Sequence, residues 1–179
     1  MKTVSSVVRY FIVVTLAVAV ALLIRTFVAE PYIVPTGSML PTIKLEDRLV
    51  GEKITYLTRT PRAGEVITFD SPAEPGVTLI KRVIATGGQS VDLRDGSVYV
   101  DGKKLDEPYV NGEPSEPLGV CAVEGGISYP HTVPEGYVWV MGDNRTDSLD
   151  SRYFGPVPLY SVSSRALFIF WPPSDASML

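Results

Sequence analysis

Apolar side chains run unbroken from Tyr10 to Ile24, with Thr15 the one mild interruption, and Arg25 and Thr26-Phe27-Val28-Ala29 follow. From Tyr10 to Val28 a helix would rise roughly 28 Å at about 1.5 Å per residue, close to a bilayer core of about 30 Å. No polar face interrupts the run, which predicts a membrane-spanning helix. The alternatives are a cleaved signal peptide, which shares the basic start and apolar middle, and a buried core helix. Arg25, Phe27 and nearby Pro31 fit poorly with a small-residue cleavage site, so a retained anchor over residues 1–29 is favoured.

Beyond residue 30 the pattern changes. All 15 prolines and all 15 glycines fall there, between short β-type runs. These runs are Arg48–Val50, Glu65–Phe69, Thr78–Ala85, Ser97–Val100, Tyr137–Met141 and Arg165–Phe170. Several alternate, as in Val66-Ile67-Thr68-Phe69, and Asp101-Gly102 after Val98-Tyr99-Val100 signals a hairpin. No long amphipathic helix is apparent. The expectation is a mostly β body over 30–179, with the Pro-, Gly- and Glu-rich stretch 106–133 as a loop insertion or small cap outside the core.

Charge orients this layout. Lys2 and Arg9 precede the run and favour a cytoplasmic N-terminus and a body outside the cytoplasm, while Arg25 near the far end can snorkel to the headgroups. Residues 30–179 hold 13 basic against 20 acidic residues, a net −7 that argues against nucleic-acid binding. One cysteine, Cys121, and one histidine, His131, leave no disulfide and little for a metal, so no cofactor is expected.

The candidate chemistry starts at Ser38, in Val34-Pro35-Thr36-Gly37-Ser38-Met39-Leu40-Pro41-Thr42. Two prolines and a glycine make a stiff turn able to present a hydroxyl, although an ordinary turn leaving a membrane reads the same way. A serine nucleophile needs a base. Neither Gly-x-Ser-x-Gly nor Ser-x-x-Lys occurs. A histidine base would have to be His131, which sits in the Pro/Gly-rich stretch and reads as a surface residue. Lys81, between Val77-Thr78-Leu79-Ile80 and Arg82-Val83-Ile84-Ala85, lies in a run whose one face should be buried. Burial there would lower its pKa toward what a base requires; a solvent-facing strand lysine is the other reading. A third stretch, Met141-Gly142-Asp143-Asn144-Arg145-Thr146-Asp147-Ser148-Leu149-Asp150-Ser151-Arg152, is dense in turn-forming polar residues but lacks the spacing of a calcium loop.

Together the anchor, the Pro-Thr-Gly-Ser-Met-x-Pro-Thr turn, Lys-Arg-Val-Ile, Gly-Asp-Asn-Arg-x-x-Ser-x-Asp-Ser-Arg and the closing Leu167-Phe168-Ile169-Phe170-Trp171-Pro172 resemble the type I signal peptidases, also called leader peptidases. The resemblance implies a signal-peptidase-like β-fold and a Ser–Lys dyad. In this dyad Ser38 attacks, Lys81 is the base, Ser148 orients Lys81, and Thr36 with the Ser38 N–H stabilises the oxyanion. It further implies that Asp143 pairs with Arg82, and Asp150 with Arg152, as structural supports. Tyr32, Val34, Pro35, Met39, Leu79 and Ile80 would line shallow pockets suited to Ala-x-Ala. The implied partners are signal peptides of exported preproteins and the lipid bilayer of a bacterial cell membrane.

Three departures stand out: Thr36 where serine is frequent, Ala85-Thr86-Gly87-Gly88-Gln89 after the lysine strand, and Glu46 where glycine is usual before Asp47. The remaining alternatives are a peptidase dedicated to one substrate and an anchored domain that binds peptides by strand addition. Phe168–Trp171 and Met39-Leu40 read equally well as core or as a surface resting on lipid.

Overall fold

A computed structural model describes residues 5–179; Lys2, part of the basic N-terminal flank, falls outside that range. Helix α1 spans Ser6–Phe27, starting four residues before the predicted run, with Ser5 at its N-cap. Its mean hydropathy reaches 2.6 and none of its residues is buried, so length and composition suit a membrane span. The Val28 N–H closes the last turn on the Ile24 carbonyl, and the chain passes directly into strand β1, Ala29–Ile33. Lys53 ties this junction, donating to the Arg25 and Thr26 carbonyls and pairing with Glu30 at 2.9 Å.

The body is mostly β. After β1 come β2 (Arg48–Glu52), a single helical turn α2 (Thr55–Thr58), β3 (Val66–Asp70) and β4 (Thr78–Thr86). Then follow β5 (Ser90–Arg94), β6 (Ser97–Val100), β7 (Lys103–Lys104), β8 (His131–Thr132) and β9 (Tyr137–Met141). The chain ends with α3 (Ser151–Phe154), β10 (Val157–Pro158), β11 (Val162–Trp171) and β12 (Ser177–Met178). One curled sheet runs β1-β2-β11-β3-β4-β9-β10, with β12 against β11; a smaller one runs β7-β6-β5-β8. The long β11 bridges the first sheet, pairing β2 and β3 with three shifts of register that bend it.

All six β-type runs form strands, with ends differing by a few residues. The Asp101-Gly102 turn joins β6 to β7 with both residues at positive φ, the geometry that a two-residue hairpin needs. Asp95-Gly96 makes the same turn between β5 and β6, a hairpin that was not among those read from the sequence.

Three apolar clusters fill the body. Val34, Met39, Ile43, Leu49 and Ile169 pack under the start of the chain; Ile67, Phe69, Val83, Val140 and Val157 fill the middle; Ile84, Val91, Val98, Val133 and Trp139 join the two sheets. The stretch 106–133 is mostly irregular, yet Val110 and Ser115 are buried and its last residue, Val133, closes the inter-sheet core. Its attachment is therefore tighter than its composition indicates.

Glu46 adopts φ +66°, exposed, with its N–H bonded to the Val34 carbonyl at 2.8 Å. A side chain in that region costs about 1–2 kcal/mol, which glycine avoids at some expense in unfolded-state entropy. Glu46→Gly should raise the unfolding free energy by roughly 0.5–1 kcal/mol. Urea denaturation checks this, and a lower midpoint would contradict the strain assignment.

Candidate active site

Ser38 sits in the turn that links β1 to β2. Val34 N–H bonds to the Asp47 carbonyl at 3.0 Å, Leu40 N–H to Gly37 O at 3.1 Å and Ile43 N–H to Met39 O at 2.9 Å. Met39 is fully buried in the first core cluster and acts as a plug beneath the turn. The chain is thereby pinned on both sides of Ser38, which is itself buried, while Thr36 is exposed.

Lys81 comes from β4. Residues 81–85 of this strand are buried on both faces, not one, because β3 and β9 flank it and core clusters cover it above and below. Lys81 is 3% exposed, and its Nζ donates to Ser38 Oγ at 2.6 Å and to the Ile80 carbonyl at 3.0 Å. Desolvation pulls its pKa down to about 8, against the opposing pull of the Asp150 and Asp143 carboxylates.

Burial on both faces also traps Arg82, which alternates to the side opposite Lys81. Arg82 Nε and Nη2 donate to the two Asp143 oxygens at 2.8 and 2.6 Å, and its guanidinium lies 4.1 Å from the Tyr109 ring centre. Asp143 also accepts from the Thr42 hydroxyl, joining the serine turn, β4 and the polar loop at one carboxylate. Asp150 does comparable work at the other end of the loop. It takes both Arg152 nitrogens at 2.9 Å, caps α3 through Arg152 N–H and accepts Gly142 N–H at 3.0 Å.

Several members of this assembly carried no individual assignment in the sequence. Arg145, also buried, pairs with Glu107 and donates to Ser115 Oγ, fastening the 106–133 stretch to the loop. Gly142 has no room for a side chain, since a Cβ would overlap Ser148 Oγ and the Ser38 carbonyl. Asn144 reaches Gly37 O through Nδ2 at 3.0 Å and Ser38 O through its own N–H at 3.1 Å. Gly142, Asn144 and Arg145 lie within a recognisable motif, which was the available signal; nothing marked Glu107 or Ser115.

Ser148 departs from what the resemblance implies. It is buried beside Gly142, but its hydroxyl has no hydrogen-bond partner among the described residues, and Lys81 uses Ser38 and Ile80 instead. His131 lies in β8, tilted against Trp139 with ring centres 5.2 Å apart, and is not among the residues around Ser38.

Two cavities meet at Leu79. One of about 380 Å³ opens over Thr36, Ser38 and Lys81, with Leu149, Tyr153 and Phe154 as its apolar wall and Glu74 and Asp147 at its edge. The other, about 40 Å³, lies between β1 and the start of β4 and is lined by Tyr32, Val34, Pro35, Leu79 and Ile80, among others. Met39 lines neither, because it faces the core. Among the described residues no group of three or more His, Cys, Asp or Glu side chains could hold a metal ion. A hydroxyl against a buried, readily deprotonated amine beside an open cleft can perform acyl transfer.

A model of the signal peptidase family, peptidase S26, matches residues 7–171. The chain belongs to the signal peptidase family. It is 42% identical over 165 residues to a probable signal peptidase I-1 of Synechocystis sp., covering 88% of this chain and 79% of that protein. It is 39% identical over 168 residues to a probable thylakoidal processing peptidase 2, chloroplastic, of Arabidopsis thaliana, covering 90% of this chain and 43% of that one. Among solved structures it is similar to a signal peptidase I from Enterococcus faecalis V583, with TM-score 0.49 and 34% identity, over 60% of this chain and 97% of the other. Membership of the signal peptidase family makes the chain a serine endopeptidase.

The Arg82–Asp143 pair in this signal peptidase is buried, so removing one partner strands the other charge. Asp143→Ala should lower the unfolding free energy by about 3–5 kcal/mol. Urea unfolding measures it, and a loss below about 1 kcal/mol would refute the pair's supporting role.

Proposed function

We propose that this family member is anchored by α1 and cleaves N-terminal signal peptides from exported preproteins, with Ser38 as nucleophile and Lys81 as general base. The observation that carries the reading is the 2.6 Å contact between the buried Lys81 Nζ and Ser38 Oγ. Ser38 Oγ forms a bond to the scissile carbonyl carbon while its proton passes to the neutral Lys81 amine. The oxyanion is met by the Ser38 N–H, which donates to no backbone acceptor among the described residues, and by the Thr36 hydroxyl at the cleft wall. When the C–N bond breaks, the Lys81 ammonium returns the proton to the leaving amine. Water then hydrolyses the acyl-enzyme with Lys81 as base. Ser148 would join the proton path if its unpaired hydroxyl turned to Lys81.

Substrate geometry follows from two open edges. Residues 78–81 of β4 pair only with β3, because β9 joins from Arg82 onward, and β1 pairs only with β2. A peptide extended along Leu79 and Ile80 gains main-chain bonds there. The 40 Å³ pocket beneath it is small beside the 380 Å³ cleft over Ser38, which favours alanine-sized side chains.

Anchoring rests on the length and apolarity of α1, and Lys2 and Arg9 ahead of the apolar run favour a cytoplasmic N-terminus in a bacterial cell membrane. Exposed Ile33, Leu45, Phe170 and Trp171 would meet lipid, whereas Met39 and Ile169 belong to the core.

Ser38→Ala and Lys81→Ala should each abolish preprotein cleavage with the fold retained; full activity in either sinks the dyad. The lysine must be neutral to act, so below its pKa of about 8 the rate should fall about tenfold per pH unit toward acid and level off above it. A profile flat from pH 6 to 9 would be incompatible with a lysine base. Cleavage of several unrelated preproteins would exclude a peptidase dedicated to one substrate.

A further inference from the structure

We propose that Asn144 is a positioning residue that aims the oxyanion-binding N–H of Ser38; this rests on the Ser38–Lys81 reading above. The peptide unit between Gly37 and Ser38 is planar, so its carbonyl and its N–H point in opposite directions. Whatever fixes the Gly37 carbonyl therefore fixes the heading of the Ser38 N–H. Asn144 Nδ2 holds that carbonyl at 3.0 Å. The carbonyl can only accept, so the amide nitrogen must face it, and the Thr146 hydroxyl lies 3.4 Å from Asn144 Oδ1 on the other side. The following peptide unit is fixed too, because the Asn144 N–H bonds to Ser38 O at 3.1 Å.

Gly142 allows this approach by lacking a Cβ where the Ser38 carbonyl passes. The side-chain bond and the backbone bond are separable. Substitution of Asn144 removes the first and leaves the second, so the polar loop stays docked while the Gly37 carbonyl keeps only its bond from the Leu40 N–H at 3.1 Å and is held less firmly. A bond to the carbonyl of a peptide also strengthens its N–H as a donor. Asn144 thus acts through Ser38 and touches no reacting atom. Its contribution is specific to the state in which negative charge has formed on the substrate oxygen.

The test uses the full-length protein, Asn144→Ala, Asn144→Asp and Ser38→Ala, with a preprotein substrate and a peptide boronate that forms a tetrahedral anion on serine. Asn144→Ala should lower kcat about 10- to 100-fold with KM within twofold, and weaken the boronate by a similar factor. Asn144→Asp, which sets a carboxylate against the Gly37 carbonyl, should lose more. Normal kcat in Asn144→Ala beside an inactive Ser38→Ala would overturn the inference alone. So would a rate loss matched by the fraction of titratable sites, which would mark a purely structural role. Retained cleavage by Ser38→Ala would overturn the underlying reading, and this inference with it.

Discussion

The burial of one amine constrains everything around it. Lys81 has almost no access to water: it is 3% exposed, and its amine is enclosed against the Ser38 hydroxyl and the Ile80 carbonyl. An ammonium in that position lacks hydration, so the neutral form gains ground and the pKa falls to about 8. The same confinement brings Nζ to the Ser38 hydroxyl. Linkage gives the cost. An unfolded lysine titrates near 10.4, so the folded state binds fewer protons between that value and about 8. Stability is therefore reduced at and below the folded pKa, by about 3 kcal/mol, and recovers as pH rises toward the unfolded value. Reactive groups and stability are opposed here, as they commonly are at active sites.

An ionic frame lies on the far side of the strand. Alternation puts Arg82 opposite Lys81, where Asp143 neutralises it with two hydrogen bonds. Asp150 and Arg152 close the other end of the polar loop, and Arg145 with Glu107 fastens the irregular stretch above it. Such pairs contribute little to net stability relative to an apolar core. Their value is geometric: each one fixes a loop that has no regular structure of its own. The carbonyls of Gly37 and Ser38, and through them the serine hydroxyl, are held by a loop that these pairs hold in turn.

How much of this was legible varied with the range of the interaction. Strands β3, β4, β6 and β9 announced themselves through local alternation and β-branched content, and α1 through its unbroken apolar run. The smaller sheet was half hidden: the Asp101-Gly102 hairpin was readable, but β5 was not, and β8 is two residues long and forms only by pairing with β5. Lys81 was readable as half-buried, but its amine is enclosed by the serine turn, 43 residues earlier in the chain. The resemblance implied Met39 as a pocket residue; the helical turn to Ile43 points it into the core instead. The role of Asn144 and the pairing of Arg145 with Glu107 are contacts across 107 and 38 residues of chain, which no local pattern encodes. Glu46 shows the reverse case: its departure from the usual glycine was visible, and the positive φ supplies the reason.

The central claim is that burial lowers the Lys81 pKa to about 8, so that a usable neutral fraction exists near physiological pH. The most direct measurement is the titration of its ε-carbon resonance in the folded protein, assigned by comparison with Lys81→Arg. A midpoint near 8 is expected; a midpoint at 10 or above, as for a solvated lysine, would contradict the account.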